Sequence, residues 1–148
     1  MRVPPPILAV AAAAAQRSMT EGAAPAGALR RTAAAVTAAG SVGLLASAAS
    51  GFRARGTTVD PLRPERATAL VDSGPFALTR NPMYVGMAGL LVAHAVLRGS
   101  PKALVPVAAF VAVIDRVQIP PEEAAMTANF GADYHAYRAR TPRWLVVV

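Results

Sequence analysis

From residue 32 to residue 52 the chain carries no charged side chain, and arginines close the run at both ends: Arg30 and Arg31 before it, Arg53 and Arg55 after it. A helix needs about 20 consecutive, mainly apolar residues to cross the hydrocarbon layer of a bilayer. Inside that layer every backbone polar group must be satisfied within the protein, so a lone segment can cross only as a helix. The run therefore predicts a membrane-crossing helix and argues against an ordinary soluble fold. Gly40 and Gly43, set among alanines and serines, give it a small-residue surface, the kind that lets helices approach closely in lipid.

Composition agrees. Hydrophobic residues make up 54% of the 148 residues and charged residues 16%, where a soluble domain has about 25% charged. The net charge of +7 raises nucleic acid as a partner. The basic residues, however, do not form one stripe. They sit at the ends of apolar runs, as the positive-inside rule describes, so the bilayer is the expected partner and nucleic acid is not. There is no cysteine, which excludes disulfides, thiolate nucleophiles and cysteine-ligated metals. His94 and His135 are too few for a histidine-rich metal site, and no metal is expected.

Three further apolar runs follow the same logic. Residues 7–15, extended toward Met19, predict a short or tilted span; a signal peptide with Arg2 as its basic start is the competing reading. Residues 83–97 and 103–119 are joined by Arg98-Gly99-Ser100-Pro101-Lys102 and predict a helical hairpin, with Pro106 as a kink and Asp115 and Arg116 near the far end. Between the second and third runs, residues 56–81 are polar and turn-rich. Val59, Leu62, Leu70 and Val71 argue that this loop is ordered and packs. Pro120-Pro121-Glu122-Glu123 predicts a new helix start. Met126, Phe130, Tyr134 and Tyr137 then share one helical face, and Gly131 is expected to bend or break the helix. Glu123, Asp133, Arg138 and Arg140 read as the polar face of a helix lying at the membrane surface.

The expected fold is a single all-α integral membrane domain over residues 1–148, with about four transmembrane helices and a C-terminal interfacial helix. Four crossings put both termini on one side. That side holds Arg2, Arg53, Arg55, Arg63, Arg66, Arg80, Arg116, Arg138, Arg140 and Arg143; the other holds Arg17, Arg30, Arg31, Arg98 and Lys102. The excess places the termini and the 53–82 loop in the cytoplasm, the membrane being of the bacterial inner type.

Two segments stand out as chemistry. One is Gly74-Pro75-Phe76 followed by Arg80-Asn81-Pro82-Met83-Tyr84-Val85-Gly86; the other is Glu122-Glu123, Phe130-Gly131, Tyr134, Tyr137 and Pro142-Arg143. They bracket the hairpin, so folding it brings both to the same membrane face. In this order the segments resemble the isoprenylcysteine carboxyl methyltransferase family and the related phospholipid methyltransferases, over roughly residues 56–144. The resemblance implies S-adenosylmethionine as cofactor and methyl transfer to a lipophilic small-molecule or lipid-linked substrate. It divides the chain into N-terminal spanning helices, 1–52, and a cofactor-binding catalytic module, 53–148. It assigns cofactor binding to Thr68, Ala69, Leu70, Val71, Phe76, Asn81, Pro82, Met83, Tyr84 and Glu122, and substrate binding to Gln118. Asn81 stands where the family commonly has histidine, and Gln118 where it often has arginine.

Those residue types suit the chemistry. Glu122 can pair with a cation, while Arg80 and Arg116, the catalytic candidates, can pair with a carboxylate. Methyl transfer depends on in-line positioning more than on acid–base help. With asparagine at 81 the obvious candidate base is absent, which favours an acceptor that needs none, such as a carboxylate.

Overall fold

The computed structural model describes residues 3–57 and 63–145. Arg2, Val59 and Leu62 lie outside the described residues. Among the described residues the chain is helical, without strands. Helix α1 runs Pro5–Met19, α2 Ala28–Ala54, α3 Pro82–Arg98, α4 Leu104–Val113 and α5 Ile119–Arg140. Short 3-10 turns occupy Pro64–Arg66, Gly74–Ala77 and Pro101–Ala103.

The new helix expected at Pro120 is instead a continuation. α4 runs into α5 through a π-helical turn, Ile114–Gln118, so one rod extends over Pro101–Arg140. Pro120 and Pro121 lack the N–H groups that would bond back one turn, and their rings crowd the preceding carbonyls. A widened π turn accommodates both effects without ending the helix. Pro106 lies in the first turn of α4, where a missing N–H costs little, so the irregularity falls at the π turn and not at Pro106. Gly131 adopts φ 47°, ψ −118° and breaks α5 as expected, in a backbone region that glycine tolerates.

Ala28–Ala54 and the Pro101–Arg140 rod are long and apolar enough to cross a membrane. From Pro101 to the break at Gly131 the helix is about 45 Å long, more than the hydrocarbon thickness, so only its apolar first part can lie within it. α3, with 17 residues, reaches about 26 Å, and α1, with 15, about 22 Å. Of the four expected crossings, two meet the full length.

α2 and α3 form the tightest pair. A side chain on Gly86 would stand 2.6 Å from Leu45 Cγ, and one on Gly89 would overlap Ser41 Oγ. The close approach therefore comes from glycines of α3 against Ser41 and Leu45. Gly40 and Gly43, the expected contact surface of α2, have no atom within 4 Å of an added Cβ. α1 lies against α3 and α4, and Gln16 is fully buried there. Its Nε2 donates to the carbonyls of Leu91 at 2.9 Å and Ala103 at 2.8 Å, and its Oε1 lies 2.8 Å from His94 Nδ1. One apolar cluster centres on Leu91, Val107, Phe110, Ile114 and Ile119; a second joins Ala48, Val71 and Phe76 to Tyr134 and Tyr137.

Candidate active site

The second cluster walls a cavity of about 250 Å³ at the end of the bundle where α1 begins, α2 ends and α3 begins. The loop between α2 and α3 folds over it. Tyr137, buried on α5, donates from its hydroxyl to Phe76 O at 2.7 Å and so fixes the Gly74–Ala77 turn. Phe76 meets Phe52 edge-on, with ring centroids 4.9 Å apart. Asn129 holds the same loop by donating to Glu65 O at 3.2 Å.

The sequence segments on either side of the hairpin do meet. Tyr84, in the first turn of α3, donates its hydroxyl to Glu122 Oε1 at 2.5 Å, and Gln118 Nε2 donates to the same oxygen at 2.7 Å. Arg80 Nη2 donates to Glu123 Oε1 at 2.8 Å, and Arg80 Nη1 to Thr141 O at 2.6 Å. The residues after α5 then thread beneath the start of α3. Arg80 N donates to Pro142 O at 2.8 Å, while Thr79 Oγ1 and Asn81 Nδ2 both donate to Arg143 O, at 2.8 and 3.0 Å. Asn81 thus ties down the tail; its side chain does not cap α3. Arg143 clasps both oxygens of Glu123, and its Nη1 reaches Asp115 Oδ1 at 3.1 Å, where Trp144 Nε1 also donates at 2.8 Å.

Burial alone would raise the Glu123 carboxyl. Hydrogen bonds from Arg143 and Arg80 outweigh it and hold the group below its ordinary range. Burial, and then the neighbouring Glu123 charge, push the Tyr134 hydroxyl up to about 12, so it stays protonated at neutral pH.

Of the sequence-predicted residues, Ala69, Leu70, Val71, Phe76, Arg80 and Asn81 line the cavity. So do Pro82, Met83, Tyr84 and Glu122. Three lie elsewhere. Thr68 is exposed and closes the loop onto the end of α2, accepting no part of the cavity wall; its N–H donates to Thr57 Oγ1 at 3.0 Å. Arg116 is exposed on the π turn, and its neighbour Asp115 pairs with Arg143 instead. Gln118 is buried behind Glu122 and braces it. The N-terminal spans also contribute to the wall, through Pro5, Pro6 and Phe52.

Glu123 reads differently in space than in sequence. Glu123, expected on a solvated face, has a side chain only 11% exposed between two arginines. Tyr134 and Tyr137, which share a helical face with Met126, line the cavity with it. Their signal was the shared helical face itself, which turns inward. No comparable signal marks Arg143 as the residue that joins Asp115 to Glu123.

The wall suits a zwitterionic, partly aromatic molecule such as S-adenosylmethionine. Leu70, Val71, Phe76 and Met126 offer apolar surface, and Glu122 offers an anion. Among the described residues, Arg80 Nε is the buried side-chain donor for which no hydrogen-bond partner is found. Such a group calls for an acceptor, and a ligand carboxylate is one.

Helices of crossing length around a small cavity describe an α-helical membrane protein. The chain belongs to the phospholipid methyltransferase family, whose profile matches residues 29–133. It is a membrane methyltransferase, a class whose usual methyl donor is S-adenosylmethionine. An uncharacterised protein of Haemophilus influenzae is 33% identical over 63 residues, which is 43% of this chain and the whole of that relative. No solved structure matches the chain.

Proposed function

We propose that this protein transfers a methyl group from S-adenosylmethionine to a lipophilic acceptor, in the manner of the isoprenylcysteine carboxyl O-methyltransferases. The observation that carries this reading is the junction of Tyr84, Glu122 and Arg80 at one wall of an otherwise apolar cavity. When bound, the cofactor supplies an electrophilic methyl on a sulfonium centre. Glu122, oriented by Tyr84 and Gln118, would face its cationic part; Arg80 Nε would donate to its carboxylate. Ala69, Leu70, Val71 and Phe76 would enclose the apolar part and exclude water.

Acceptor chemistry follows from the titratable lining groups. Glu123 is neutralised by two arginines, Tyr84 gives its proton to a hydrogen bond with Glu122, and among the described residues the lining includes no histidine. A carboxylate acceptor is already a nucleophile at neutral pH and needs no base. Met83, Met87 and Met126 supply adaptable apolar surface for a lipid-like chain arriving sideways from the bilayer. The arginine excess on this side supports a site at the cytoplasmic face of the inner membrane. A second reading, N-methylation of a lipid amine, is favoured by the family description.

The test uses the whole chain purified in detergent. S-adenosylmethionine is expected to bind, and Glu122→Ala to weaken it at least tenfold; equal binding by the variant overturns the assignment of Glu122. Methylated product from a membrane extract is then treated with mild base. Released methanol identifies an ester, and a base-stable label identifies the amine reading.

A further inference from the structure

A second cavity, of about 410 Å³, lies at the opposite end of the bundle, where α1 and α3 end and α2 and α4 begin. Its walls include Arg30, Arg98 and Lys102, with Glu21 as the acid among its lining residues. Arg98 and Lys102 flank the α3–α4 turn, and the fold adds Arg30 from the start of α2. We propose that this cavity holds the phosphate headgroup of an anionic membrane lipid.

Three observations support it. First, the positive-inside rule disfavours basic residues on this face, yet here they converge on one concavity. Second, their positions are not all explained by the helices. Arg98, in the last turn of α3, complements that helix end and is held by Thr20, through Nε to Oγ1 at 2.6 Å and Nη2 to the carbonyl at 2.8 Å. Arg30 and Lys102 instead sit at the starts of α2 and α4, where the helix dipole is already positive and neither start has an acid in its first turn or a side-chain cap. Gly99, at φ 63°, leaves Arg30 room to lie over the α3–α4 turn; an added Cβ would overlap its guanidinium. Third, the cavity is flanked by exposed apolar side chains at the level of the helix ends. Met19 is 43% exposed, Leu97 40% and Leu104 52%. Half-buried Arg30 and Arg98 and exposed Lys102, beside such surface, match an anionic headgroup with its acyl chains alongside, and match a free anion less well.

The site is separate from the candidate active site and does not rest on methyl transfer. The test is thermal unfolding of the whole chain in detergent with added phosphatidylglycerol, phosphatidylcholine or inorganic phosphate. Phosphatidylglycerol is expected to raise the midpoint by several degrees, phosphatidylcholine and phosphate by much less. The double variant Arg30→Gln/Lys102→Gln should lose at least half of that rise while its lipid-free midpoint stays near wild type. Arg53→Gln, an exposed arginine at the other end of α2, should keep it in full. Should the double variant unfold early without lipid, Lys102→Gln alone, at an exposed position, carries the comparison. An equal shift with inorganic phosphate, or equal losses in Arg53→Gln, overturns the proposal.

Discussion

Arg143 holds Glu123 by two parallel bonds, Nε to Oε1 at 3.1 Å and Nη2 to Oε2 at 2.8 Å, across a gap of 20 residues. The pair locks the tail after α5 against the helix that carries Glu122. Its Arg143 side chain is 30% exposed and the Glu123 side chain 11%. Breaking a fully buried pair costs about 3–5 kcal/mol; solvent screening at Arg143 lowers the expectation to roughly 2 kcal/mol. Arg143→Ala should therefore lower the unfolding midpoint in detergent, and Arg143→Lys should recover part of it. An unchanged midpoint in Arg143→Ala would sink the clamp.

The same pair sets an acid limit. The Glu123 carboxyl is held below its ordinary range, so its contribution is fully present above the unfolded value of about 4.3 and is lost as pH falls through the lower folded value. The unfolding midpoint should stay flat from neutral pH to about pH 5 and fall below about pH 4. In Arg143→Ala burial is opposed by Arg80 alone, so the fall should begin at higher pH. Midpoints measured across a pH series in both proteins decide this.

Gln16 anchors α1. Its amide bridges two backbone carbonyls and His94. Gln16→Leu keeps the volume roughly and strands those acceptors, at a cost of about 1–3 kcal/mol. The measurement is again the unfolding midpoint in detergent. A cost near zero would mean that α1 is not held by this amide.

How far the sequence foretold these contacts depends on their range. Uncharged runs reveal helices because the bilayer penalises charge and open backbone locally, so α1 to α4 were legible; α5 was read from its shared apolar face, with its start placed wrongly at Pro120. The Tyr84–Glu122 meeting followed from the hairpin, since antiparallel neighbours must bring their flanks together. Gln16 was not legible: one polar residue ending an alanine run looks like a boundary until the carbonyls of two other helices surround it. Pro142-Arg143 stood out in the second segment, but the partners of Arg143 were not legible, because they depend on how the tail turns after Thr141. The continuous rod through Pro120 and Pro121 was missed because a π turn has no residue signature of its own.

Helix contact was similarly placed on the wrong glycines, which makes a clean comparison possible. Gly86→Val would drive a side chain into Leu45 and the Ser41 carbonyl, and overpacking of this kind costs about 1–3 kcal/mol. Gly40→Val meets open space and should leave the unfolding midpoint nearly unchanged. If the two variants are equally unstable, α2 uses both faces and the packing described for α2 and α3 is incomplete.

Arg80 bears the sharpest expectation about the cofactor. Nη2 and Nη1 are engaged by Glu123 and the Thr141 carbonyl, whereas no partner is found for the buried Nε. Lysine at this position can keep one charge near Glu123 but has no group where Nε stands. A hydrogen bond to a charged partner contributes about 1.5–3 kcal/mol, so Arg80→Lys should weaken S-adenosylmethionine binding by roughly 10- to 100-fold. Part of that loss could come from the missing bond to Thr141, and a ligand comparison separates the two. An analogue of the cofactor without its carboxylate should bind wild type and Arg80→Lys with similar affinity if Nε serves the carboxylate. If the variant loses the same factor for both ligands, Arg80 acts only through the tail, and the carboxylate is held elsewhere.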